Sequence, residues 1–239
     1  MKSNRRRLRQ LFGLFKLRIG VVDKLPGGAA ITREIRERLN DTRKLLEDLG
    51  HLVEPVKIDY SIEQFNESSM RIWATTLGYF MEQFAGITGR KIGPKTVEAV
   101  TLEVYRYGKG LTAFQMEEAM AWQNGVCRKV GAVMRNYDVL LTPGLAREVA
   151  KLGELDQNAK GVDMAAWWQQ ILQGYSAFTA LFNSTGQPAV MLPLWQSKAG
   201  LPIAMQFVGR MADEETLYSL AGQLEQALPW SGRKPPLYA

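Results

Sequence analysis

The stretch after the first sixteen residues alternates between strand and helix patterns, and this alternation constrains the fold more than any other feature. Leu17–Val22 is a short apolar run rich in β-branched residues, which is typical of a buried strand. From Thr32 apolar residues recur at helical spacing, and Gly50 supplies a C-terminal stop. A second strand pattern covers 51–58. A strand, a helix and a strand within about forty residues predict a βαβ unit and an α/β fold.

The next segment, 61–136, is predicted to be mainly helical. Ser61 with Gln64, and Thr112 with Gln115, have the spacing of capping boxes, in which each side chain bonds the other's backbone N–H. These two pairs therefore predict two helix starts.

The last hundred residues return to strands. A third strand is predicted at 137–141, a surface loop at 146–161 and a single helix from Asp163 to about Phe182. A fourth strand is predicted at 203–208. Acidic residues at 213–215 favour the start of a final helix, because they complement its N-terminal dipole.

The net charge of +6 is concentrated at the N-terminus. Residues 1–18 contain seven Lys and Arg and no acidic residue, so the rest of the chain is nearly neutral. We predict a basic, disordered tail over 1–16, one domain over 17–239, and no nucleic-acid or membrane partner. The alternative is that Leu8, Leu11, Phe12 and Phe15 form one helical face that touches a membrane surface or RNA. The apolar part of the tail is too short for a signal peptide.

A single cysteine, Cys127, and a single histidine, His51, exclude several classes of site within the chain. Neither a disulfide nor a cysteine zinc cluster can form, and a His-rich metal site is excluded. We predict no cofactor and a reducing, cytoplasmic setting. No Gly-x-Ser-x-Gly motif accompanies His51, and Cys127 lies in a helical stretch, so structural roles are favoured for both residues.

Two other pairs of residues are also interpreted as structural. Ser68 and Ser69 lie inside a helical pattern without flanking glycines, which favours a solvent-facing or helix-packing pair. Trp167 and Trp168, with the aromatic residues that follow them at helical spacing, are interpreted as core or interface packing rather than a ligand cage.

One segment, 178–217, carries a far more specific pattern. It contains Asn-x-Thr-Gly-x-Pro-Ala, Leu-Pro, Gly-Leu-Pro and Gln-x-x-Gly in that order, followed by an acidic helix start. This order resembles the C-terminal signature region of the amidase signature family, and 16–21, 45–51 and 137–143 agree with it as well. Its Leu-Pro-Leu-Trp and Gln-Phe-Val-Gly-Arg stretches look most like the aminohexanoate cyclic-dimer hydrolase branch.

The resemblance implies a fold and a substrate pocket. The fold would be the C-terminal part of the amidase-signature fold, α/β, with mixed sheet strands flanked by helices. In relatives this region packs beside the active site, so the candidate pocket residues are Asn183, Thr185, Trp195 and Gln206. The alternative is that Asn183 and Gln206 only tie loops together. Gln206 places an amide on an apolar strand, where it needs a buried partner.

The resemblance also implies a mechanism whose residues cannot be found here. In the family a lysine, a bridging cis-serine and a nucleophilic serine act within a Gly/Ser-rich signature that precedes the matched region. No Gly-Ser-Ser-Gly-like segment occurs in these 239 residues, so no catalytic residue can be assigned. A truncated, split or mis-started gene would give such a sequence.

We therefore expect an amidase-family polypeptide, a hydrolase of carbon–nitrogen amide bonds in its complete form, that is inactive alone. The alternative is a non-catalytic pseudoenzyme or binding subunit that pairs with an N-terminal amidase chain. The expected partners are that N-terminal half or a second copy of the chain, and a small-molecule amide substrate once the enzyme is complete.

Overall fold

A computed structural model describes residues 16–27, 31–161 and 163–234, so the predicted basic tail lies outside the described residues apart from Lys16. The strands are β1 (Arg18–Val21), β2 (Leu52–Pro55), β3 (Val139–Pro143), β4 (Ala189–Gln196) and β5 (Pro202–Gly209). The helices are α1 (Arg33–Asp48), α2 (Ile62–Thr88), α3 (Ala99–Gly110), α4 (Ala113–Met134), α5 (Met164–Trp168), α6 (Ala177–Thr185) and α7 (Glu214–Ala227), with a π-helical turn (Gln169–Gln173) after α5.

The five strands form one mixed sheet in the order β2-β1-β3-β5-β4. β1 pairs in parallel with β2 and β3, as the predicted βαβ unit requires, whereas β5 is antiparallel to both β3 and β4. The α/β class and the mixed sheet are thus confirmed. β4 is an additional strand at the sheet edge, where Pro193 and a register shift after Leu192 are tolerated.

The main core lies between the sheet and the helices packed on it. α1 buries Ile35, Leu39 and Leu46, which repeat at helical spacing, and α6 buries Phe178 and Leu181. α2 packs on both α3 and α4, and a smaller cluster of Ala74, Val100 and Val104 lies between α2 and α3. The chain therefore combines a sheet core with a helical layer, and α4 joins the two because its Val126 and Val130 belong to the main core.

Both predicted helix starts in that layer are confirmed. The Ser61 side chain accepts a hydrogen bond from the Gln64 backbone N–H. Thr112 and Gln115 form a complete capping box, in which each side chain bonds the backbone N–H of the other. Local spacing was sufficient at these positions because the partners are only three residues apart.

The single helix predicted from Asp163 to Phe182 is wrong in its middle. Asp163 caps α5 as predicted, since its carboxylate accepts from the Ala166 backbone N–H at 2.7 Å. The helix then widens into the π turn and breaks before α6 begins at Ala177. At the break the Tyr175 carbonyl accepts a hydrogen bond from the Ala146 backbone N–H at 3.0 Å. A contact with the loop after β3 thus overrides the local helical pattern.

Two further properties hold for the parts of the chain that the structure describes. No helix there is long and apolar enough to cross a membrane. No cluster of three or more His, Cys, Asp or Glu side chains there could hold a metal ion.

His51 is buried where α1 passes into β2, and its hydrogen bonds favour the neutral ring. The Leu17 backbone N–H donates to Nδ1 at 3.2 Å, and Nε2 lies 2.8 Å from the Gln223 side-chain oxygen on α7. Because a backbone N–H can only donate, Nδ1 is the acceptor and the ring proton lies on Nε2. Burial lowers the pKa of His51, and the hydrogen bond to Gln223 opposes this only in part.

We expect the free energy of unfolding to fall as the pH drops below about 6.5, the ordinary histidine pKa. The unfolded chain then binds a proton that the folded chain does not, at a slope of at most about 1.4 kcal/mol per pH unit. Urea unfolding between pH 8 and pH 5 measures the effect. The variant His51→Asn should lose it, since His51 is the only histidine. An unchanged slope in the variant would contradict this assignment.

Candidate functional site

Four helices and the π turn surround a cavity of about 510 Å³, which we call the aromatic cavity. α2 lines it with one helical face, at spacing i, i+3, i+4 and i+7: Ser69, Ile72, Trp73 and Thr76. α4, α5, the π turn and α6 supply the other walls: Gln123, Trp167, Trp168, Ile171, Ala180, Asn183 and Ser184. A pocket of this size, mainly apolar with a few polar groups, is typical of a small-molecule site.

Tryptophans dominate one side of the aromatic cavity. The rings of Trp73 and Trp168 pack with centroids 5.6 Å apart at an interplanar angle of 49°. Trp167 also packs against the small cluster of the helical layer. Sequence reasoning favoured packing over a ligand cage for Trp167 and Trp168, and both residues pack against neighbours while they also line the cavity.

Two residues that line the cavity each have a polar atom that is fully covered and has no hydrogen-bond partner among the described residues: Ser69 Oγ and Trp168 Nε1. The neighbouring Ser68 differs, because its hydroxyl is 3.1 Å from both the Phe65 carbonyl and the Gln123 side-chain oxygen. Ser68 is thus the helix-packing residue that the sequence suggested, whereas Ser69 faces the cavity. Buried polar groups normally have partners, so these two exceptions require an explanation.

The four residues predicted for the substrate pocket do not come together. Asn183 lines the aromatic cavity. Thr185 lies on the far side of α6, where it lines a second cavity of about 580 Å³ and bonds the Leu181 carbonyl at 3.1 Å. Trp195 donates to Thr42 on α1 at 2.8 Å. Gln206 donates to Thr142 on β3 at 3.1 Å.

The second cavity contains no activated nucleophile among the described residues. Cys127 lines it, and burial raises the pKa of that thiol, which disfavours the reactive thiolate. Arg210, also in its wall, forms an ion pair with Asp138 at 3.0 Å and donates a hydrogen bond to the Tyr137 carbonyl at 2.9 Å. The structural role that the sequence favoured for Cys127 agrees with this environment.

Sequence reasoning identified Asn183 but missed Ser69, Trp73 and Trp168 as cavity residues. The face of α2 that holds Ser69 and Trp73 was detectable by its spacing, yet a packed face has the same spacing. Only the placement of the helices against one another distinguishes a face that lines a cavity from a face that packs.

Comparisons with known proteins show that this chain is similar to amidases. The family model for amidases matches residues 11–218. A 6-aminohexanoate-cyclic-dimer hydrolase of Pseudomonas sp. strain NK87 is 30% identical over 230 residues, covering 92% of this chain and 46% of that protein. A solved 6-aminohexanoate cyclic dimer hydrolase is 29% identical with a TM-score of 0.84, covering 96% of this chain and 49% of that one. A bacterial aryl acylamidase, with a TM-score of 0.72 and 22% identity, shares the fold. The chain spans about half the length of the curated relatives it matches.

Proposed function

The chain belongs to the amidase family, and from that premise we propose that it is the substrate-binding part of an enzyme that hydrolyses carbon–nitrogen amide bonds. The predicted resemblance to the aminohexanoate cyclic-dimer hydrolase branch is confirmed by the relatives of that name. One observation carries the proposal: Asn183, within the signature segment that identified the family, lines the aromatic cavity. Family pattern and ligand-sized cavity thus coincide at α6.

Amide hydrolysis needs a nucleophile, a base and donors for the oxyanion. Within the described residues, Ser69 Oγ has no basic partner, and His51 is held by Leu17 and Gln223. We propose that the lysine and the two serines that the family resemblance implies come from a segment outside these 239 residues. That segment belongs either to a longer polypeptide or to a separate chain.

A second candidate, a non-catalytic subunit that docks on an N-terminal amidase chain, is favoured by the exposed face of α2. Trp73, Phe80, Phe84 and Ile87 lie along this helix at spacings of seven, four and three residues, and each is 45–80% exposed. Apolar patches of this kind commonly mark interfaces. Such a partner, or a second copy of the chain, is consistent with either function.

The other expectations from the sequence stay predictions. These are the cytoplasmic setting, the absence of nucleic-acid and membrane partners, and the division into a tail at 1–16 and one domain at 17–239.

Co-expression with the polypeptide encoded immediately upstream tests the proposal. We expect butyryl 4-nitroanilide, a chromogenic anilide, to be hydrolysed only at its uncatalysed rate in the presence of the chain alone. The combined protein should hydrolyse it faster. A serine-directed inhibitor should abolish that activity. Hydrolysis by the chain alone would refute the need for another segment. A stable complex without activity on a panel of amides would favour the binding subunit.

A further inference from the structure

We infer that α2 pairs with α2 of a second copy of this chain, antiparallel and with the two-fold axis at Phe80. The pairing surface, which we call the α2 seam, consists of Trp73, Leu77, Phe80, Phe84 and Ile87. The inference goes beyond the proposed function, because it concerns how the chain associates and requires no catalytic segment.

The α2 seam has the spacing of a helix that packs along a second helix. Its five residues follow one another at intervals of four, three, four and three residues, which is the heptad spacing of coiled coils. Leu77 also packs on the small cluster between α2 and α3, whereas the other four residues are 45–80% exposed. A continuous exposed row of large apolar side chains commonly marks an interface.

The seam is free of charge, which favours a second copy as its occupant. Between residues 72 and 89 the only charged residue is Glu82, and it faces α3, where Lys109 donates to it at 3.0 Å and the Tyr105 hydroxyl also bonds it. The positions beside the seam, where coiled coils carry the charges that select a different partner, are uncharged here: Ala74, Thr76, Met81, Gln83 and Thr88. A two-fold axis brings identical residues together, so an uncharged seam avoids repulsion between the copies.

The seam also extends away from the segment that carries the family signature. Asn183 of that segment lines the aromatic cavity, and the part of α2 that lines the same cavity ends at Thr76. Phe84 and Ile87 lie eight and eleven residues past Thr76, which is about 12–17 Å farther along the helix. A catalytic segment that reaches the aromatic cavity therefore need not cover this end of α2.

The sizes of the seam residues favour antiparallel pairing. Phe80 lies midway between Trp73 and Ile87, seven residues from each. Antiparallel helices centred on Phe80 set Trp73, the largest seam residue, against the smaller Ile87 of the second copy. A parallel pair would set tryptophan against tryptophan at one end and isoleucine against isoleucine at the other, which packs unevenly. Because Trp73 also lines the aromatic cavity, the antiparallel pair places Ile87 of the second copy at the edge of that cavity.

The exposed area of the α2 seam is in the range that a dimer needs. Large apolar side chains bury about 150–250 Å² each, so the exposed parts of Trp73, Phe80, Phe84 and Ile87 amount to roughly 500 Å². This is more than half of the roughly 800 Å² that each partner of a stable interface buries. Thr76 and Gln83, which are also exposed, supply part of a polar rim.

Sedimentation equilibrium of the purified chain over a wide range of concentration tests the inference. We expect a reversible monomer–dimer equilibrium. Phe80→Glu should raise the dimer dissociation constant at least about a hundredfold, because the two-fold axis brings two carboxylates together in an apolar seam. Tyr218→Glu is the matched control, since it replaces an aromatic side chain that is 75% exposed on α7, outside the seam. Its effect should stay within about twofold.

Cysteine variants determine which residues face each other, without disrupting the seam by charge. They are made with Cys127→Ser, which removes the only natural cysteine. Under oxidation by copper phenanthroline, Phe80→Cys should cross-link to itself, and Trp73→Cys should cross-link to Ile87→Cys but not to itself. A disulfide requires Cα atoms within about 7 Å, so Tyr218→Cys, the control for random collision, should stay uncross-linked.

Several results would overturn the inference. These are a monomer at every concentration, an unchanged dissociation constant in Phe80→Glu, or self-cross-linking of Trp73→Cys, which would indicate a parallel pair. If circular dichroism shows that Phe80→Glu does not fold, the cysteine variants decide. Loss of the Phe80→Cys cross-link on co-expression with the polypeptide encoded upstream would assign the α2 seam to that polypeptide instead of a second copy.

Discussion

Gly108→Ala should lower the free energy of unfolding by about 3 kcal/mol, because the added methyl group has no room. A Cβ at Gly108 on α3 would lie 2.2 Å from the Ala74 carbonyl oxygen and 2.5 Å from its carbonyl carbon, on α2. These are backbone atoms inside a long helix, so they cannot rotate away as the end of a side chain could. The loss must also exceed the gain of about 0.5–1 kcal/mol that alanine brings to a helix.

Gly125→Ala is the matched control for that substitution. Gly125 is also inside a helix, α4, but an added Cβ there meets nothing within 4 Å. Urea unfolding followed by circular dichroism should show a gain of about 0.5–1 kcal/mol for this variant. Equal effects of the two substitutions would mean that α2 and α3 do not approach as closely as the structure shows.

Much of the fold could be predicted because its signals are local. The strand and helix patterns between Leu17 and Ile58 correspond to β1, α1 and β2, and the Thr112 capping box uses residues three apart. The break before α6 could not be predicted in this way. It depends on a hydrogen bond between Tyr175 and Ala146, which lie in different parts of the sequence, and no helical periodicity records such a contact.

The candidate site was less predictable than the fold. Asn183 was identified through its family motif, and the partner that Gln206 needs on its apolar strand is Thr142 of β3. Ser69 and Trp168 could not be identified, because their sequence spacing is that of an ordinary packed helix. Their distinguishing property is the lack of a hydrogen-bond partner among the described residues, which arises only when four helices are assembled. A substrate role for Thr185, Trp195 and Gln206 stays a prediction.

Arg71→Met should lower the free energy of unfolding by about 2 kcal/mol. This value is below the range of about 3–5 kcal/mol for breaking a buried ion pair, because both carboxylate partners are partly exposed. The Arg71 side chain is only 13% exposed and joins α2 to α4. It contacts Glu67 at 2.8 Å, Glu118 at 2.7 Å and the Gln115 carbonyl at 3.2 Å, and its guanidinium lies over the Trp122 ring. Methionine keeps much of the side-chain volume but leaves two carboxylates without their cation.

Urea unfolding of further variants distinguishes the loss of ion pairing from the loss of packing on Trp122. Adding Glu118→Gln to Arg71→Met should restore part of the lost free energy of unfolding, because it removes one of the two uncompensated carboxylates. Arg33→Met should cause no measurable change, because Arg33 forms an ion pair of the same length with Glu37 but is 93% exposed. No recovery in the double variant would assign the effect to packing on Trp122. Arg71 links α4 to α2, the helix that carries Ser69 and Trp73. If the charge effect dominates, these ion pairs fix the position of the α2 face that lines the aromatic cavity.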